Sequence, residues 1–169
     1  MEDSLKLLVV SNQEDIDAES ISSISYRELE FDYADNLTDS FNLLCDGYGQ
    51  KGTEKLLRVV MGEPSDSAIR AFEPFRRYDA VFLGDHIHGD QRGQVSSGEE
   101  AYGDSYEARN RLLIFSGMIG MPAILFSRNV RRTIDEIESW REPPEKYAVL
   151  DVNSGPETIA GTLEELLGN

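Results

Sequence analysis

The sequence predicts an α/β fold: a three-layer sandwich with helices on both faces of a mostly parallel five-stranded sheet. Three observations carry this. Short apolar runs recur, as in Lys6–Ser11, Tyr78–Leu83 and Ala123–Phe126, the pattern of buried parallel strands. Segments with helical spacing alternate with these runs, as parallel sheets require. A long glycine-rich polar stretch, 84–103, follows one of the runs and reads as a surface loop.

Lys6–Ser11 is the first strand. Ser25–Asp32 alternates weakly through Tyr26, Leu29 and Phe31, which suits a second strand near a sheet edge. Asp39–Met61 has helical character but contains Gly47, Gly49 and Gly52, so two helices around a loop are expected. Ser65–Arg77 reads as helix, with Ser65 or Asp66 as N-cap and Ile69, Phe72 and Phe75 spaced for one face. Tyr78–Leu83 is the clearest central strand. Ser105–Gly117 is helical through Leu112, Leu113 and Phe115, and Gly120-Met-Pro122 stops it before the strand Ala123–Phe126. Val130–Trp140 is a helix with Ile134 and Ile137 inward, broken by Pro143-Pro144. Tyr147–Leu150 is the last strand, and Pro156–Leu167 closes the chain as a helix with proline in its first turn.

At 169 residues a single domain spanning 1–169 is expected, with 40% apolar and 28% charged residues marking a globular chain. No apolar run approaches a membrane span, and MEDSLKLLVV lacks the basic start of a signal peptide. The single cysteine, Cys45, cannot form an internal disulfide, which fits a reducing cytoplasm. Thirty-two acids against sixteen bases give a net charge of −16. Lysine occurs only at 6, 51, 55 and 146, and the acids are dispersed along the chain. Such a surface suits a salt-saturated cytoplasm, where self-repulsion is screened, so a halophilic source is expected. No basic stripe exists to displace counterions from phosphates, which disfavours nucleic-acid binding.

In parallel α/β sheets the working loops follow the C-terminal strand ends. Here they are 11–17, 84–103, 127–128 and 151–155. With these placed, "LKLLVVSNQEDI", "YDAVFLGD", "MPAILFSR" and "YAVLDVNSGPETIAGTLEELLG" resemble the first, third, fourth and fifth strands, with the last helix, of response-regulator receiver domains. The resemblance covers about half of the chain, at positions that other flavodoxin-like folds share. It implies acids after the first strand for Mg²⁺, an acceptor aspartate after the third, a hydroxyl after the fourth and a lysine after the fifth. Ser11 and Asn12 stand at the first acidic positions, with Glu14 and Asp15 close behind. Gly84 falls at the acceptor position with Asp85 one residue later, Ser127 matches, and Asp151 stands where lysine belongs. A carboxylate there removes the cation that would neutralise a phosphoryl group. The resemblance thus implies a degenerate pseudo-receiver that does not accept phosphate, with Ser11, Asn12 and Ser127 as its remaining ligand-holding positions.

Both histidines lie in "FLGDHIHGDQRG". In extended chain His86 and His88 share one face, which suits two metal ligands with Asp85 or Asp90 as a third, or one histidine working as an acid–base group. The competing reading is a solvated loop, and no metal site is assigned. "GYGQKG" (47–52) matches the dinucleotide fingerprint literally, but no good strand precedes it, so a helix-breaking loop is the better reading. Lys51 precedes Gly52, so it is not a Walker loop either. "GDSYE" (103–107) places Glu107 at a helix start. It is similar to the Gly-x-x-x-Glu of nucleoside deoxyribosyltransferases, while helix capping by Asp104 or Ser105 explains it more simply. FMN is disfavoured because Glu14, Asp15, Asp17 and Glu19 would repel its phosphate; Tyr102 and Tyr106 are better read as rim packing than as flavin stackers.

Two functions from different classes follow. The first is a non-catalytic receiver-like signalling or protein-interaction module whose partner surface is the 84–103 loop with the following helix. The second is a small Rossmann-like enzyme acting on a nucleotide or nucleoside, through N-glycosidic or phosphate chemistry, with Asp85, His86, His88 and Glu107 as catalytic candidates. A protein partner is expected, a small nucleotide and self-association stay open, and neither nucleic acid nor membrane is expected. No cofactor is assigned.

Overall fold

The computed structural model describes residues 4–11, 28–44, 78–85, 87, 106–118 and 120–168. Five strands form one sheet: β1 (Leu5–Val10), β2 (Leu29–Ala34), β3 (Ala80–Leu83), β4 (Ala123–Ser127) and β5 (Tyr147–Asp151). Their order is β2-β1-β3-β4-β5 and every neighbouring pair is parallel. The sheet is flavodoxin-like, and it is wholly rather than mostly parallel among the described residues. The four helices described are α1 (Leu37–Leu44), α2 (Tyr106–Met118), α3 (Val130–Glu138) and α4 (Pro156–Leu166).

The apolar runs are explained by two cores. Successive side chains of a strand point to opposite faces. Leu8 and Val10 of β1, Val81 and Leu83 of β3, and Ala123 and Leu125 of β4 therefore face one core, with Leu37 and Phe41 of α1, Leu112 of α2 and Ile137 of α3. The alternate residues Leu7, Val9, Ala80, Phe82, Ile124 and Phe126 face the other, with Ile159 and Leu163 of α4. Phe41 meets Phe115 edge-on at 5.3 Å in the first core, and Phe82 meets Phe126 at 5.7 Å in the second. Each such buried aromatic contributes about 1.5–3 kcal/mol by leaving water. The edge strands β2 and β5 are largely half-buried, so their sequences alternate only weakly.

Local chemistry sets the helix ends. Asn36 starts α1: its Oδ1 accepts the Asp39 amide at 2.7 Å and its Nδ2 donates to the Asp39 carboxylate at 2.8 Å. This places the start of α1 just before the expected Asp39. Gly120, at φ 72°, ends α2 in the left-handed region, and Met121 returns its amide to the Ser116 carbonyl at 2.8 Å. Asn129 caps α3 by accepting the Arg132 amide at 3.1 Å. Pro156 opens α4, where its missing N–H costs nothing. The helix expected at 65–77, the glycine loop 47–52 and most of 84–103 lie outside the described residues. No described helix is long and apolar enough to cross a membrane.

Candidate functional site

Parallel strands gather their exits at one edge. Beyond β1 the Ser11 amide bonds the Ala34 carbonyl at 3.0 Å; beyond β3 the Gly84 amide bonds the Val10 carbonyl at 2.9 Å; beyond β5 the Val152 amide bonds the carbonyl of Ser127, the last residue of β4, at 3.1 Å. Ser11, Asp85, Ser127 and Asp151 therefore share this edge, as the sequence implied.

Asp85 is the centre of charge there. It is only 3% exposed, although it follows the strand by two residues. Its Oδ1 accepts from the Arg109 guanidinium at 3.2 Å, and its Oδ2 lies 3.5 Å from that of Arg128. Arg109, the largest fully buried side chain, extends from α2 and lies 3.7 Å from Glu136 of α3 as well. One guanidinium thus ties the β3 exit to two helices. Its Nε and Nη2 also donate to the Asn110 side chain at 3.2 and 3.1 Å, and Asn110 donates to Glu136 at 3.2 Å. The buried pair Arg109–Asp85 and the Glu136 carboxylate are therefore hydrogen-bonded, the condition on which a buried ion pair is tolerated.

Ser127 is buried beside it. Its hydroxyl bonds that of Thr133 at 2.8 Å and accepts the Asn129 amide at 3.0 Å. Among the described residues, Asp85, Arg109, Ser127, Arg128, Asn129, Arg132, Thr133 and Glu136 line a half-open pocket of about 390 Å³. That is within the range of small-ligand sites.

Of the residues singled out from sequence, Asp85 and Ser127 thus meet at one pocket. Ser11 sits at the same edge but does not line it. Glu107 lies in the first turn of α2, and its side chain, like His86, His88 and Asn12, lies outside the described residues. Among the described residues no group of three His, Cys, Asp or Glu side chains is placed to hold a metal. Asp151, where the receiver resemblance expects lysine, is exposed and turns its carboxylate back to the Asn153 amide at 2.8 Å.

Sequence reading missed the arginines. Two signals for them exist. Arg109 stands at i with Leu112, Leu113 and Ser116 at i+3, i+4 and i+7, so it occupies the buried stripe of α2, where only an acid partner makes it tolerable. "SRNVRR" puts three arginines directly after β4, in a chain with twice as many acids as bases.

Comparison of the chain with protein-family models, curated proteins and solved structures gives no match.

Proposed function

We propose that this chain is a non-catalytic, receiver-like signalling or protein-interaction module of a halophilic cytoplasm, in which Asp85 does not accept phosphate. One observation carries the reading: both carboxylate oxygens of the buried Asp85 are already engaged by arginines. A phosphoryl acceptor must offer an oxygen in line with the incoming phosphorus and share its charge with a divalent cation. In Asp85 those positions are taken by two guanidinium groups, of which that of Arg109 is buried. The exposed Asp151 supports the same reading, because it adds negative charge where a transferred phosphoryl group needs a cation.

The same pairing weighs against Asp85 as a general base in a nucleotide- or nucleoside-processing enzyme, since a base needs an oxygen within reach of the substrate proton. The test is incubation with acetyl phosphate and Mg²⁺ in molar KCl, read by intact mass. The unmodified chain is expected; an adduct mapped to Asp85 sinks the proposal. Turnover of a nucleoside or nucleotide that disappears in Asp85→Asn would replace it with the enzyme reading.

A further inference from the structure

We infer that the pocket beside Asp85 is a non-covalent site for the phosphate group of a small phosphate monoester. Three observations converge on it. The first is charge. Among the described lining residues, Arg109, Arg128 and Arg132 against Asp85 and Glu136 leave +3 − 2 = +1, in a chain whose net charge is −16. The two carboxylates are bound by Arg109 and Arg128. No ion pair or hydrogen bond engages the Arg132 guanidinium among the described residues, so the surplus cation lines the pocket there.

The second is a buried donor uncommitted among the described residues. Ser127 and Thr133 are 1% and 5% exposed, and their hydroxyls carry two protons between them. One proton makes the Ser127–Thr133 bond, while the Asn129 amide takes an acceptor position on Ser127. The other proton has no acceptor among the described residues. A buried donor left without an acceptor is costly, and an oxyanion in the pocket these hydroxyls line supplies one.

The third is the helix. Asn129, Arg132 and Thr133 belong to the cap and first turn of α3, whose positive end favours an anion. A volume of about 390 Å³ exceeds what bare phosphate fills, which leaves room for a small organic body. Asp85 and Glu136 set the orientation, since an anion avoids their side and meets Arg132.

This inference does not rest on the signalling reading: an adduct on Asp85 would sink that reading and leave this site to its own test. The test is calorimetric titration of the full chain, at fixed KCl and ionic strength, with inorganic phosphate, a ribonucleoside monophosphate and succinate. The monophosphate is expected to bind more tightly than inorganic phosphate, and succinate more weakly than either. Arg132→Glu is expected to weaken the monophosphate roughly tenfold. Arg131→Glu makes the same change in net charge at a side chain 91% exposed and outside the pocket lining, and should leave affinity unchanged. Thr133→Val, close in volume, should weaken binding several-fold without unfolding the chain. No heat with either phosphate, equal loss in Arg131→Glu and Arg132→Glu, or tighter binding of succinate would each overturn the assignment.

Discussion

Replacing Arg109 by methionine keeps most of the buried stem while deleting the charge. Among the described residues Asp85 would then keep only Arg128, at 3.5 Å and itself 46% exposed, as its counter-ion. Removing one member of a buried pair costs about 3–5 kcal/mol, because the remaining charge stays desolvated. Residual pairing with Arg128 puts Arg109→Met at the lower end, about 3 kcal/mol, a large share of a typical domain's stability. Asp85→Leu strands Arg109 in turn, but Glu136 at 3.7 Å partly compensates, so about 2–3 kcal/mol is expected. The double variant removes both charges and should cost no more than about 1–2 kcal/mol, so the coupling is at least about 3 kcal/mol. Urea denaturation of the four proteins measures it. The coupling should largely persist in molar KCl, since both side chains of the Arg109–Asp85 bond are almost fully buried and buried pairs are screened much less than exposed ones. A cost below about 1 kcal/mol for Arg109→Met, or a double variant equal to the sum of the singles, would refute the reasoning.

Other changes read the rest of the structure. Arg131→Ala should shift stability by less than about 0.5 kcal/mol in molar KCl, because its 3.9 Å pair with Asp135 is solvent-exposed; thermal denaturation measures it. Asn129→Ala removes the α3 cap and should cost about 1 kcal/mol in the same urea assay. Gly161→Ala, in the interior of α4 with open space around its added methyl, should raise stability by about 0.5–1 kcal/mol. Tyr147 has its pKa pushed up to about 12, first by desolvation and then by its hydrogen bond to Glu138 and the charge of that carboxylate. A raised folded pKa favours the protonated state, so this contribution is complete below pH 10 and fades as pH rises toward 12. Tyr147 is only half-buried, so solvent screening limits it to on the order of 1 kcal/mol. The stability advantage of the wild type over Tyr147→Phe should shrink by that amount between pH 9 and 12; an advantage flat with pH would exclude the assignment.

The central strands were legible because β1, β3 and β4 are buried on both faces, which makes all their positions apolar except Lys6 and Ser127. β2 was harder. It lies at the sheet edge, its side chains are largely half-buried, and it runs from Leu29 to Ala34 where the alternation suggested Ser25 to Asp32. The starts of α3 at Val130 and of α4 at Pro156, where a missing N–H is tolerated, were readable, while α1, capped by Asn36, begins two residues before the expected Asp39. Asp85 and Ser127 could be named because they follow strands, and position after a parallel strand is a property of order along the chain.

Sequence by itself therefore determined the α/β class, the central strands and the edge at which the polar residues collect, since burial on both faces makes a strand a short apolar run and order along the chain places the loops that follow it. Tertiary structure alone decided what Asp85 does there. Its partners come from 24 and 43 positions away, on α2 and beyond β4. Pairing of charges depends on distance and desolvation, and neither is encoded in local spacing. Only packing α2 and α3 against the same sheet face brings Arg109, Arg128 and Glu136 around one carboxylate, closing a pocket that no short stretch of the chain contains.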